Sequence, residues 1–168
     1  MITIKNTQHK ISINTQRLRM QAAAMLAVLG YADFDLGIWL TTNKTIRRYN
    51  KTFRGKDKPT DILSFPYHTT LKTRQKITVR QPEDKNLGDL IISLEYTQQD
   101  AAATWHCSLD ERLSALLAHG IAHLLGYDHQ TDAEFKQMQL IEKKLLRDAI
   151  DNGRHPERSE GSRLDDGL

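Results

Sequence analysis

The stretch that decides the fold is SLDERLSALLAHGIAHLLGYDH, residues 108–129. Ser108 and Glu111 have the spacing of a capping box, in which each side chain accepts a hydrogen bond from the backbone N–H of the other residue. Leucine and isoleucine then recur at helical spacing as far as Gly126, a residue type that readily adopts the left-handed conformation that ends a helix. The stretch therefore predicts an amphipathic helix with a buried apolar face.

Three histidines of this stretch, His119, His123 and His129, have the spacing of ligands to one metal ion. His119 and His123 are four residues apart, so a helix places them on one face, one turn apart. His129 would lie about 15 Å along the axis from His119 if the helix continued, which is too far for a shared metal. A turn at Gly126 brings it back. Three protein ligands with one open position are typical of catalytic zinc sites, so we predict a catalytic metal site.

The same spacing matches the HExxHxxGxxH helix of metzincin proteases. In those enzymes the glutamate after the first histidine is the general base, but this chain has Gly120 at that position. A glycine has no side chain that accepts a proton. A metzincin-like zinc hydrolase or protease that lacks the usual glutamate is therefore the weaker alternative.

Strands and helices alternate upstream of this stretch, and one more helix follows it. Alternating or continuous apolar residues predict strands, whereas capping residues and helical periodicity predict helices. This order favours a single α+β domain with four strands and about five helices. The predicted strands are residues 2–13 (one strand or a short hairpin), 34–42, 61–65 and 87–94, and the predicted helices are 16–29, 43–53, 95–106, 108–126 and 131–150. Residues 67–86 are polar and are expected to form a surface excursion or an elaborated hairpin.

The composition is that of an ordinary globular protein: 168 residues, 39% hydrophobic and 27% charged, with one cysteine. The length suits one domain, for which we predict residues 1–150, followed by a polar tail at 151–168 that is expected to be disordered. One cysteine excludes an internal disulfide. The sequence contains no apolar run long enough to cross a bilayer and no secretory signal pattern, so we expect a cytoplasmic protein with no membrane partner.

Positive charge is concentrated between Lys44 and Lys58, where seven basic residues accompany one acidic residue, Asp57. Such a concentration favours a polyanionic partner, although a solvated helix face and loop would have the same pattern. Arg54 lies just ahead of a predicted strand. Its guanidinium is suited to hold phosphate oxygens in a bidentate manner, and the alternative interpretation is an exposed loop charge.

Three blocks of the sequence resemble the signature blocks of the bacterial YbeY family: RGKDKPTDILSFP at residues 54–66, LGDLII at 87–92 and HGIAHLLGYDH at 119–129. The resemblance extends over about residues 1–150. It implies a small mixed four-stranded sheet packed against helices, with a metal site in a positively charged cleft. It also implies a zinc-dependent endoribonuclease that acts on single-stranded RNA in ribosomal RNA maturation, at the 3′ end of 16S, and in ribosome quality control.

The resemblance assigns roles to individual residues. It implies that His119, His123 and His129 bind one Zn²⁺ per chain, and that Arg54 engages the RNA phosphate, so that Arg54 and His119 are the expected catalytic residues. The expected partners are single-stranded RNA, ribosomal RNA, and the ribosome or small-subunit proteins.

Two questions stay open at the level of sequence. A non-catalytic ribosome-associated factor, with a structural metal and a basic binding face, is a second alternative to the nuclease. The general base is also unassigned, and Asp61, Asp89 and Asp128 are candidates for carboxylates that orient a metal ligand, although each is equally suited to close a turn.

Overall fold

Four strands form one mixed sheet, and the structure, a computed structural model, describes the backbone of residues 1–154 and the side chains of residues 1–148. The order across the sheet is first, second, fourth, third; the first, second and fourth strands are parallel, and the third is antiparallel to the fourth. The predicted mixed four-stranded sheet is confirmed. The strands are β1 (Ile2–Asn6), β2 (Asp35–Thr41), β3 (Ile62–Pro66) and β4 (Asn86–Ser93).

The first strand is shorter than predicted, and residues 7–13 form neither a strand nor a hairpin. The buried side chain of Gln8 explains the difference, because its amide donates to the carbonyl of Ile11 at 2.9 Å and its oxygen accepts from the N–H of Ile11 at 2.9 Å. These two bonds satisfy the backbone of Ile11 within a loop, where a hairpin would have used a partner strand.

Five α-helices accompany the sheet within residues 1–154, so the α+β class is confirmed. The predicted helix at 95–106 is divided into a short α-helix and a π-helical turn at Ala101–Trp105, and the last helix continues beyond residue 150. The predicted tail at 151–168 thus begins inside that helix, and its residues 155–168 lie outside the described part of the chain. The helices are α1 (Thr15–Val28), α2 (Asn43–Arg54), α3 (Leu94–Asp100), α4 (Leu109–Leu124) and α5 (Asp132–Arg154).

Both predicted capping boxes are present. At the start of α4, Ser108 Oγ accepts from the N–H of Glu111 at 3.2 Å, and Glu111 Oε2 accepts from the N–H of Ser108 at 2.8 Å. Thr131 and Glu134 repeat the arrangement before α5, at 3.2 Å and 3.0 Å. Each box satisfies N–H groups that have no partner inside the helix, and so fixes where the helix begins.

The main core lies between one face of the sheet and helices α1 and α4, and α5 packs against both of these helices. Helix α4 presents Leu117 and Ile121, both fully buried, to a cluster that also contains Leu90 and Ile92 of β4. Burial of such a side chain contributes about 1.5–3 kcal/mol. The core therefore holds α4, and with it the histidines, in a fixed position on the sheet. Among the described helices, none is long and apolar enough to cross a membrane.

Candidate metal centre

The three histidines meet at the C-terminal end of α4. His119 and His123 lie on the last two turns of the helix, and His129 lies in the loop that leads to α5. One nitrogen from each ring lies within 4.8 Å of the corresponding atoms of the other two rings. The ring centroids are 4.6 Å apart for His119 and His123, 5.6 Å for His119 and His129, and 5.1 Å for His123 and His129. The predicted convergence of these residues is thus present in the structure.

Gly126 makes the turn that returns His129 to the helix. Its φ is +81°, and its N–H donates to the carbonyl of His123 at 3.0 Å. A Cβ at this position would lie 2.3 Å from the carbonyl oxygen of Leu71, and Thr73 Oγ1 donates to the Gly126 carbonyl at 3.0 Å. Glycine is therefore required at position 126 for two reasons: its backbone conformation and the close approach of the 67–86 segment.

The outer nitrogen of each helical histidine is held by an acceptor. His119 Nδ1 lies 2.7 Å from Glu142 Oε1, and His123 Nδ1 lies 3.0 Å from the carbonyl oxygen of Tyr127. A carboxylate and a carbonyl only accept hydrogen bonds, so in the neutral rings each Nδ1 carries the proton and each Nε2 has a free lone pair. The two Nε2 atoms face each other at 3.1 Å.

The surroundings of His123 favour its neutral form. Burial, followed by the neighbouring His119 and His129, lowers the pKa of His123 from 6.5 to about 4, against smaller opposing effects of the Tyr127 carbonyl and Asp128. The neutral imidazole is the form that binds a metal ion. His123 is therefore ready to act as a ligand at neutral pH.

This donor set fits a metal ion. Two Nε2 lone pairs 3.1 Å apart repel each other unless a cation lies between them. The imidazole of His129 is close enough to be the third ligand of such a cation. Three imidazoles suit zinc and other borderline metals. In the part of the chain that the structure describes, the cluster contains these three ligands and no fourth.

The histidines line an open cleft of about 830 Å³ together with β3, the end of α2 and the loop that contains His68. Arg54, the last residue of α2, lines the same cleft and is exposed. Gly55 ends the helix with a φ of +67°, which lets the chain turn directly after Arg54. No carboxylate of the described residues forms an ion pair with Arg54, so its guanidinium is available to an anion.

The basic stretch around Arg54 is only partly neutralised. Asp57 binds Arg47 at 2.8 Å and Lys51 at 3.2 Å, and the two cations hold the pKa of this carboxyl below its usual range. The other basic residues between 44 and 58 form no ion pair with the side chains described. A positive surface therefore borders the cleft on the side of α2.

The three candidate aspartates do not orient the histidines. Asp61 accepts from Arg112 at 2.9 Å, and Asp128 Oδ1 accepts from the backbone N–H of His129, which closes the local turn. Asp89 lies on the opposite face of the sheet, because the next residue, Leu90, faces Gly120 of α4 and side chains alternate along a strand. Among the described residues, the carboxylate that contacts a ligand side chain is that of Glu142, which sequence spacing did not reveal because it is 23 positions from His119.

Gly120, which replaces the protease glutamate, is buried against the sheet. A Cβ built there would lie 2.7 Å from Leu90 Cδ2 and 2.8 Å from Ile62 Cδ1. Any side chain at this position would enter the hydrophobic core and not the cleft. The position therefore supplies no general base, which disfavours the metzincin alternative.

Comparison with known proteins identifies a family model and relatives that carry the same name. A family model described as Endoribonuclease YbeY matches residues 3–149. The human protein named Endoribonuclease YbeY is 37% identical over 145 residues, which is 86% of this chain and 86% of the human one. The protein of that name from Aquifex aeolicus is 37% identical over 138 residues, 82% of this chain and 85% of its own. A solution structure of TM1509 from Thermotoga maritima has the same fold, with a TM-score of 0.60 at 24% identity over 97% of this chain and 100% of that one.

Proposed function

Since the chain belongs to the Endoribonuclease YbeY family, we propose that it is a metal-dependent hydrolase that cleaves phosphodiester bonds within single-stranded RNA. The observation that carries this proposal is the pair of Nε2 atoms of His119 and His123, which face each other at 3.1 Å in a cleft that also exposes Arg54. This arrangement combines a place for a metal ion with a place for a phosphate.

The metal we propose is zinc, one ion per chain, held by His119, His123 and His129. When bound, such an ion supplies Lewis-acid chemistry at the scissile phosphodiester. Glu142 and the Tyr127 carbonyl fix the tautomers of the two helical ligands and so orient their lone pairs before any ion arrives. His129 is the exposed member of the set, and all three histidines line the cleft.

Arg54 and His119 are the residues that we assign to catalysis. The guanidinium of Arg54 matches the geometry of two phosphate oxygens, and it opposes the negative charge that develops on the phosphate as the bond breaks. Its position at the end of a capped helix supports this role, because the backbone that carries it is fixed by Gly55. His119 lines the same cleft and is anchored by Glu142.

The cellular process we propose is maturation of ribosomal RNA, at the 3′ end of 16S, together with ribosome quality control in the cytoplasm. The proposed partners are the ribosome or small-subunit proteins in addition to the RNA. Family membership supports this assignment. The cations on the α2 side of the cleft that form no ion pair with the described side chains are suited to a polyanion. A non-catalytic ribosome-associated factor is the alternative, and it is less favoured because a three-histidine cluster is typical of a catalytic site.

The test is cleavage of a fluorescent single-stranded RNA by the full chain with zinc, with a chelator, and with zinc restored. We expect cleavage to stop with the chelator and to return with zinc. His123→Ala should lose both bound zinc and cleavage, whereas the matched control His9→Ala, at an exposed position outside the cluster, should retain both. Cleavage that continues in the chelator, or zinc retained by His123→Ala, would contradict the proposal.

A further inference from the structure

The face of the sheet opposite the main core carries an aromatic groove, formed by Trp39, Tyr49, Phe53 and Phe65. The rings follow one another without a gap: centroid distances are 5.4 Å from Trp39 to Tyr49, 6.0 Å from Tyr49 to Phe53 and 5.1 Å from Phe53 to Phe65. The groove encloses about 680 Å³. Phe53 is 62% exposed, although an aromatic side chain gains most from burial.

This face is only partly covered by the protein itself. Helix α2 packs on it through Ile46, which is fully buried against Leu63 and Ile91. Beyond the edge of α2, Gly37 and Asp89 form the floor of the groove. Gly37 has no side chain, and the exposed carboxylate of Asp89 lies over its Cα. The groove is therefore a preformed depression with apolar walls and a hydrogen-bond acceptor at its base.

The groove is continuous with the histidine cleft. Phe53 and Phe65 line both, and Arg54 directly follows Phe53 at the end of α2. A polymer with phosphate groups, one of which lies against Arg54, would thus pass the edge of Phe53 and enter the groove without leaving the protein surface.

The groove is lined by Lys5 and by the carboxylates of Asp35 and Asp89, and Arg48 lies beside its Tyr49 ring. Lys5 Nζ lies 5.1 Å from the centroid of the Trp39 ring, and the guanidinium of Arg48 lies 5.6 Å from that of Tyr49. Neither cation forms an ion pair with a carboxylate among the described side chains. Aromatic rings for stacking, bordered by free cations for the backbone, are the features by which proteins bind single-stranded nucleic acid.

We propose that the aromatic groove binds bases of single-stranded RNA that flank the scissile phosphate. This inference rests on the proposed function, which it extends from the cleavage site to the substrate track. Stacking on Phe53, Tyr49 and Trp39 holds the bases, Lys5 and Arg48 hold the adjacent phosphates, and Asp89 accepts a hydrogen bond from a base amino group.

The test compares the affinity of the full chain for fluorescent single-stranded RNAs of about 4 and about 12 nucleotides, so that only the longer one extends from the histidine cleft into the groove. Anisotropy is measured with a chelator, which keeps the RNA intact. We expect Phe53→Ala to weaken binding of the longer RNA by about fivefold to about a hundredfold. Binding of the shorter RNA should fall by less, because that RNA meets Phe53 only where the ring borders the histidine cleft.

Two variants separate stacking from a general structural effect. Phe53→Trp keeps a stacking surface and should retain the affinity of the unaltered chain, whereas the matched control Leu140→Ala, which removes a side chain that is 64% exposed on α5, should change neither RNA. Equal affinity of Phe53→Ala and the unaltered chain for the longer RNA would overturn the inference. Loss of self-association in Phe53→Ala at unchanged RNA affinity would also overturn it and assign the groove to a second copy of the chain.

The outcome is independent of cleavage. Groove-dependent RNA binding by a chain that cleaves no RNA would contradict the proposed function and support the groove. Zinc-dependent cleavage with no effect of Phe53→Ala on affinity for the longer RNA would support the proposed function and overturn the groove alone.

Discussion

The two faces of the sheet are built from alternate residues of the same four strands, but they differ in how completely helices cover them. One face is covered by α1 and α4, with α5 packed on these helices, and forms the main core with the histidines at its edge. The other is covered by α2 and leaves aromatic and charged side chains accessible. The covered face provides the rigidity that positions the metal ligands, and the open face provides a surface for a partner.

Two glycines illustrate this difference. At Gly120 on the covered side, a Cβ would meet the side-chain ends of Leu90 and Ile62, which are fixed in the core. At Gly37 on the open side, a Cβ would meet the carboxylate of Asp89, an exposed side chain that is free to rotate away. Close packing makes the first position intolerant of a side chain, whereas the second is constrained only by a movable neighbour.

The largest effect is expected where a charge is placed in the covered face. Gly120→Glu restores the residue of a metzincin helix but buries a carboxylate between Leu90 and Ile62. We expect a loss of at least about 4 kcal/mol in the free energy of unfolding, with no protease activity. Thermal denaturation measures the loss, and Gly120→Ala, which adds only a methyl group, should cost less. A stable Gly120→Glu variant with protease activity would contradict the packing described for α4.

A smaller effect is expected at the edge of the covered face, where Glu142 orients His119. Glu142→Ala leaves all three ligands in place but removes the acceptor of His119 Nδ1, so we expect zinc affinity to fall about tenfold to about a hundredfold. Competition with a chromogenic chelator measures this affinity. The control Glu83→Ala, at an exposed position in the 67–86 segment, should bind zinc as the unaltered chain does. Unchanged affinity in Glu142→Ala would show that the carboxylate does not support the site.

The smallest effect is expected at the start of α2, the helix that packs on the open face of the sheet. Glu95 accepts from the N–H of Asn43 at the start of α2 at 2.8 Å, and this bond, followed by Lys10, lowers the pKa of the Glu95 carboxyl. A lowered folded-state pKa stabilises the protein above the unfolded value of 4.5, and the contribution is lost as the pH falls through the folded value.

Glu95→Gln should therefore cost about 0.5–1 kcal/mol at about pH 7 and less at about pH 3.5, where a larger share of the wild-type carboxyl is protonated. Urea denaturation at the two pH values measures the difference. An equal loss at both would contradict an effect of the charge.

The local signals in the sequence predicted the covered face well. Capping boxes at Ser108 and Thr131, the leucine periodicity of α4 and the histidine spacing act over a few residues, and short-range geometry determines their outcome. The three-histidine cluster followed from these signals, and the α+β class followed from the order of predicted strands and helices; both are confirmed.

Contacts between distant residues escaped prediction. Glu142 contacts His119 because α5 packs on α4, and the aromatic groove combines residues of β2, α2 and β3. The face on which Asp89 lies depends on the phase of β4 relative to α4, which a buried apolar run such as LIIS does not reveal. The helix at 95–106 changes to a π-helical turn at Ala101, and we found no local signal for that change.

The central claim is that His119, His123 and His129 form an open metal site, and X-ray absorption at the zinc edge of the full chain loaded with one equivalent tests it most directly. The account predicts three imidazole nitrogens at about 2.0–2.1 Å and one ligand from solvent. A sulfur ligand at about 2.3 Å, which only Cys107 or a methionine could supply, or a fourth protein nitrogen would indicate a closed site and contradict the account.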